Sequence, residues 1–182
     1  MTITLETIDK EKLQALLLRN WMTHDAMWFM HSVQELGIER ANQLNRAAVH
    51  DMAAIEAVRI AKLAGLEGVR TLDDVRQFVD AVIELVMPDF LHFDVKWSPD
   101  NNSVQFEISK CFAYEGVAGL GVAAEYECGI YERIYGWLDA LGLEYQATPT
   151  GPLCSMHHTG SCVRMIEITF GDRDRQEANT TD

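Results

Sequence analysis

The chain reads as an α+β protein in which helices come first and an antiparallel sheet with packed helices follows. Three observations predict this. Apolar residues recur at three- and four-residue spacing up to Pro88, the period drops to two on either side of Pro99-Asp100-Asn101-Asn102, and glycines stand where helical runs stop, at Gly37, Gly65 and Gly142.

The first helical run covers residues 9–36, with a break or kink expected around Asn20 to Thr23, where Thr23 or Asp25 would cap a second segment. Residues 39–64 read as one long amphipathic helix carrying Ala41, Leu44, Ala48, Met52 and Ile55 on its apolar stripe. A third helix starts at Thr71, whose hydroxyl can cap while Asp73 and Asp74 suit the first turn, and it stops before Pro88. Leu91, Phe93, Val95 and Trp97 then alternate with polar residues, as do Val104, Phe106 and Ile108, which makes a hairpin with one buried face. Cys111 closes its second strand. A helical stretch is expected over 116–125, with close helix packing accounting for Gly116, Gly119 and Gly121. Cys128 opens a further amphipathic helix whose Ile130, Ile134, Trp137, Leu138 and Leu141 point inward. Residues 143–148 read as a strand, and Val163, Met165, Ile166 and Ile168 make the last one. Residues 1–170 thus form one expected domain, followed by a polar tail, 171–182, expected to be disordered.

Composition narrows the function. A formal net charge of −13 would repel phosphate backbones and anionic lipid, so nucleic acid is not the expected partner. No stretch reaches the roughly 20 apolar residues a membrane span needs, and the first residues lack the order of a signal peptide, so a cytoplasmic protein is expected. In that reducing compartment the four cysteines, Cys111, Cys128, Cys154 and Cys162, are expected to be free, catalytic or metal-bound rather than paired. Cys154 and Cys162 bracket His157 and His158, so one short loop carries two thiols and two imidazoles. Such donors suit zinc.

The run from Cys128 through Gly136 and Trp137 to Tyr145, followed by Cys154, Gly160 and Cys162, resembles the 4-vinyl-reductase-type domain. That resemblance implies zinc held by Cys128, Cys154 and Cys162, as in the family's phenol sensors. Those sensors add an acid three residues before the middle cysteine, where this chain has Gly151; Cys111, His157 and His158 are the candidates for the fourth ligand. The N-terminal half, with His24-Asp25-Ala-Met-Trp28, Leu36-Gly37-Ile-Glu39 and Ile55-Glu56-Ala-Val-Arg59, is similar to a bacterial cytosolic family related to L-2-amino-thiazoline-4-carboxylate hydrolases. Together the likenesses imply the ligand-binding fold shared by nitric-oxide signalling sensors and Golgi transport subunits, often a homodimer, with a cavity between helices and sheet.

Four residues are candidates for lining that cavity. His24 and Trp28 stand at i and i+4, and with His31 and Trp21 they share one face of a helix, which would let an imidazole and an indole grip a planar ligand. Glu56 interrupts an apolar helix face, where a buried acid needs a partner, and Arg59 one turn on is the nearest cation. Trp137 lies on the inward face of the helix that Cys128 opens. The leading expectation is a zinc-stapled sensor or carrier of a small, aromatic-sized molecule. Beside it stand a hydrolase of a carbon–nitrogen bond, with Cys111 or Cys128 as nucleophile or a zinc-bound hydroxide and with His157 or Glu56 as base, and an interaction subunit that dimerises through its N-terminal helices.

Overall fold

A computed structural model describes residues 4–171, so the tail expected to be disordered lies, beyond Gly171, outside the described residues. Helix α1 runs Lys10–Leu36 without interruption. Asp9 caps it by accepting the Lys12 N–H at 3.1 Å. The break expected near Thr23 does not form, because the Thr23 hydroxyl turns back onto the Arg19 carbonyl at 2.7 Å and is satisfied inside the helix. Gly37, at φ 78°, makes the corner into α2, Ile38–Leu63. Helix α3, Leu72–Val86, begins with the capping box that Thr71 and Asp74 announce: the Asp74 N–H donates to the Thr71 hydroxyl and the Thr71 N–H to the Asp74 carboxylate.

Strands β1, His92–Ser98, and β2, Ser103–Lys110, pair antiparallel as the hairpin pattern requires, around a 3-10 turn at Pro99–Asn101 and a left-handed Asn102. Helix α4, Phe112–Gly119, begins and ends earlier than the 116–125 expected, and nothing packs where a Cβ at Gly116, Gly119 or Gly121 would stand. The close packing expected of those glycines is therefore absent; Gly121 instead supplies the positive φ, 75°, that ends the α4 turn. Helix α5, Gly129–Ala140, leads into β3, Glu144–Thr148, then a one-turn helix α6, Ser155–Thr159, and β4, Cys162–Thr169. The sheet order is β1-β2-β4-β3, all antiparallel.

Register decides what the helices cover. Phe93 pairs with Ile108 and Ile108 with Cys162; Val95 pairs with Phe106 and Phe106 with Arg164; Trp97 pairs with Val104 and Val104 with Ile166. One sheet face thus carries hydrocarbon rows that end, on β4, in Cys162, Arg164 and Ile166, all buried. Val163 and Met165 fall on the other, less buried face. Helices α2, α3 and α5 cover the hydrocarbon face through Ala53, Ala57, Ile60, Val75, Phe78, Val82, Ile134 and Trp137. The α2–α5 crossing is close enough to demand glycine, since a Cβ at Gly136 would stand 2.7 Å from the His50 carbonyl oxygen and 2.8 Å from the Ala53 Cβ.

Candidate functional site

Between α1, the covering helices and the β1–β2 face lies a cavity of about 280 Å³. Its walls are overwhelmingly apolar: Trp21, Met22, Phe29 and Met30 from α1, Met52 from α2, Val79 and Val82 from α3, Phe93, Phe106 and Ile108 from the sheet, Phe112, Ala113 and Val117 from α4, and Ile130, Ile134 and Trp137 from α5. Gly116 lines it with no side chain, and the open space above its Cα belongs to the cavity. That combination of hydrocarbon walls and few polar anchors is the usual composition of a small-molecule site.

The polar groups are concentrated at one place. Arg133, 8% exposed, lines the cavity from α5 and gives its Nε and Nη2 to the two oxygens of Glu56 at 2.9 and 2.6 Å. Trp137 Nε1 donates to Glu56 Oε2 at 2.8 Å. The guanidinium lies 5.1 Å from the Trp21 ring centre and 5.2 Å from that of Trp137. Glu56 therefore pairs across the helix interface with Arg133, and not with Arg59, which is exposed. The fork geometry explains the choice: two parallel charge-assisted bonds with both partners largely buried outweigh a single-turn contact in water. Asp25 stands at the rim. Burial pushes its carboxyl above the usual range, while neighbouring His24 and the more distant Arg133 pull it down. Asn45 and Tyr126 complete the polar lining, with the Tyr126 hydroxyl accepting the Gly129 N–H at 3.1 Å.

Of the four residues expected at the cavity, Trp137 lines it and Glu56 sits directly behind its lining. His24 and Trp28 do not. They turn outward from α1, hydrogen-bonded to each other at 3.1 Å, and Trp28 is 65% exposed. His31 is exposed as well, whereas Trp21 points inward. The α1 face that carries Trp21, Asp25 and Phe29 is the one that lines the cavity.

The second constellation is the cysteines, all four free. Cys111 immediately precedes α4, Cys128 precedes α5, Cys154 precedes α6, and Cys162 opens β4. Loop pairing draws them together: the Cys128 N–H donates to the Pro152 carbonyl at 2.7 Å, the Cys154 N–H to the Tyr126 carbonyl at 3.2 Å, and Glu127 bridges Leu153. The loop carrying Cys128 is held on α2 by Asn42, whose amide bonds the Glu125 carbonyl and the Glu127 N–H, and by Arg46, which grips Glu127 and Glu132 at 2.7 Å each. The sulfurs are near enough that a negative charge on any one raises the pKa of another, in every pairing of the four.

As free thiols Cys111, Cys128 and Cys162 are held in the protonated form. Burial pushes Cys111 up to about 11 and Cys128 up to about 12, and raises Cys162 too. The N–H groups of Ala113 and Tyr114 face the Cys111 sulfur, and that of Tyr131 faces Cys128, pulling the other way without closing a full capping bond. Among the described residues, no three His, Cys, Asp or Glu side chains are already gathered as a metal-ligand set. His157 is exposed and its ring packs edge-on against His158, 5.1 Å between centres, so Cys111 is the better-buried neighbour of the other three sulfurs.

One buried cation stands beside Cys162, two residues along β4. Arg164, 2% exposed, projects from β4 over the Tyr131 ring at 4.2 Å, bonds the Tyr135 hydroxyl and the Gly151 carbonyl, and leaves its Nε without any partner. The Tyr131 hydroxyl it lies against is 3.7 Å from the Cys162 sulfur. A donor set of four thiols, two helix N-termini and an unbalanced buried cation fits a group that brings net negative charge to the site, as a divalent metal held by four thiolates does.

Residues 6–116 match a family of unknown function, DUF6125. The chain belongs to that family. The DUF6125 match spans α1 to α3, the hairpin, Cys111 and the start of α4, and so most of the cavity wall; Arg133, Cys128, Cys154 and Cys162 lie beyond it. No curated protein matches the chain. Among the described residues, no helix is long and apolar enough to cross a membrane.

Proposed function

We propose that the protein is a cytoplasmic, zinc-stapled sensor or carrier whose cavity holds a small, largely apolar molecule. One observation carries this reading: α4 and α5, which furnish the cavity's Phe112, Ala113, Ile130 and Arg133, each begin at a cysteine of the thiol cluster. Zinc, when bound, supplies a cross-link among Cys111, Cys128, Cys154 and Cys162 and so fixes the ends of both wall helices.

The charge beside the cavity supports an uncharged polar end for the ligand. Arg133 is already neutralised by Glu56, so the pair offers hydrogen-bonding edges rather than a free positive charge. An apolar body with one uncharged hydroxyl or amide suits such edges, and the Trp21 and Trp137 rings favour an aromatic body. A thiol-nucleophile hydrolase is the weaker reading, because nucleophilic cysteines need a lowered pKa and burial moves Cys111 and Cys128 upward. Exposed Leu17 and Trp28 on α1 with Ile55 and Val58 on α2 support a second copy as partner, which light scattering at micromolar concentration would detect.

The test of the cavity is a tryptophan-fluorescence titration with p-cresol and indole, since Trp21 and Trp137 line the space. Saturable quenching in the wild type, abolished in Ala113→Phe, which fills the cavity, is the expected result. Equal responses in the two proteins would remove the cavity from the function.

A further inference from the structure

We infer that Arg164 is the countercharge of the metal–thiolate centre, a positioning residue whose guanidinium holds the cluster in its ionised, metal-bound form. The inference rests on the zinc reading above and adds to it the residue that makes the site selective for a net anionic group.

The argument is electrostatic. Arg133 and Arg164 are both buried arginines, and a buried guanidinium without an anion is among the costliest arrangements a protein can hold. Arg133 has Glu56. Arg164 has no carboxylate within ion-pair distance among the described residues: its neighbours are two tyrosines and a backbone carbonyl, and its Nε is buried with no acceptor at all. Burial raises the pKa of the Tyr131 and Tyr135 hydroxyls, which stay neutral, so the group left to become negative beside Arg164 is the Cys162 thiol. Cys162 shares its strand face two residues away, and the positive charge of Arg164 already acts on it. Across the sheet Arg164 is paired with Phe106, and Cys162 with Ile108, both hydrocarbon, so no acid approaches from β2.

Before a metal binds, the first turns of α4 and α5 carry Glu115 and Glu132, whereas Arg164 has no anion among the described residues to balance it. A divalent ion that displaces four thiol protons to solvent leaves four thiolates and two positive charges, hence a net dianion. Arg164 then has the partner it lacks. The stacking of Arg164 on Tyr131, whose hydroxyl touches Cys162, holds the guanidinium at that place. An aliphatic side chain of the same length would keep the packing and lose the charge.

The experiment uses the full chain expressed with added zinc and purified without chelator. Zinc per chain is measured by mass spectrometry, and its release to a colorimetric chelator is timed for wild type, Arg164→Met and Arg164→Lys. Wild type should carry about one zinc, Arg164→Met should lose it about 10- to 100-fold faster, as removal of an outer-shell partner does, and Arg164→Lys should recover part of the difference. A second readout separates this role from packing: after chelation, Arg164→Met should melt no lower than chelated wild type, because the cation it removes is then unbalanced. Should Arg164→Met not fold, Arg164→Gln, which keeps a polar side chain and loses the charge, carries the same comparison. Wild type with zinc and variants that release it at the wild-type rate would overturn the role of Arg164 alone. Wild type that takes up no zinc would overturn both this inference and the zinc reading.

Discussion

Arg133 and Arg164 are buried to a similar degree, on two elements that pack against each other, yet only the first has an acid. At the cavity floor the charge is closed within the protein: Glu56 takes two hydrogen bonds from Arg133 and one from Trp137, so the site presents a neutral, hydrogen-bonding edge. At the thiol cluster the charge is left open, with Arg164 beside the Cys162 thiol, which burial keeps protonated. Under the proposed function, two buried cations of the same kind would serve opposite ligand chemistries, an uncharged molecule in one place and a net anionic assembly in the other.

The largest effect tests the closed pair. Replacing Glu56 with Ala strands Arg133 in hydrocarbon, and loss of one member of a buried pair costs about 3–5 kcal/mol. For a chain of this length that corresponds to a melting temperature lower by about 10 °C, at about 2–4 °C per kcal/mol. The double change Glu56→Ala with Arg133→Met should recover much of the loss, since neither charge is then left over. Additive effects in thermal melts would mean that the two groups do not depend on each other and would dissolve the contrast with Arg164.

Next comes the open charge. Chelation of zinc-loaded protein should lower stability by about 2.7 kcal/mol if free ion stood at a hundredfold its dissociation constant, and thiol reagents should then modify cysteines that were slow before. Cys128→Ser should show most of that loss without chelator. Protein whose melting point and thiol reactivity ignore chelation would make the cysteines ordinary buried residues.

How much of this was readable beforehand differs between the regions for physical reasons. The Thr71–Asp74 cap, the hairpin around Pro99 and the α5 stripe are local patterns, and the structure has them. The four cysteines and the acid Glu56 also announce themselves by residue type. What sequence spacing missed is direction in space. On α1, His24 and Trp28 share a helical face with Trp21, but the cavity is centred further round, toward Asp25 and Phe29, so of those three only Trp21 reaches it. Arg133 carried the same signal as Glu56, a charge set among Ile130, Ile134 and Trp137 on an apolar stripe, and each explains the other only once α2 and α5 are crossed. Arg164 was hidden by strand phase: with Val163 and Met165 taken as the apolar positions, the inward set Cys162, Arg164, Ile166 and Ile168 falls out of register by one. Helix α6 is five residues long, too short to show a period.

The crossing itself supplies a smaller effect. Gly136→Ala would place a methyl at 2.7 Å from the His50 carbonyl oxygen, which α2 and α5 relieve only by separating, at a cost of about 1–3 kcal/mol. Because α5 carries Arg133 and follows Cys128, this one methyl should weaken both sites, and a Gly136→Ala protein that melts lower while keeping full zinc and full p-cresol response would show that the two sites do not share the helix as a lever.

The smallest effect lies at the cavity rim, in the pH dependence of Asp25. Its carboxyl is raised above 3.8, first by burial, so the folded protein holds this proton more tightly than the unfolded chain does. The sign follows from linkage: the stability tied to the group is complete below the unfolded value and declines as pH rises from about 3.8 through the higher folded value. Asp74 runs the other way, since the N–H groups of Arg70 and Thr71 lower its pKa and its contribution is lost as pH falls below 3.8. The difference between Asp25→Asn and wild type cancels Asp74 and isolates Asp25. Asn mimics the protonated acid, so the variant should melt with wild type at the acid end of the range and slightly above it near neutrality, by an amount kept small because half of the Asp25 side chain is in water. A difference that is flat across the whole range would mean that water reaches the rim freely, and that the polar end of a bound molecule meets Arg133 and Glu56 through solvent rather than directly.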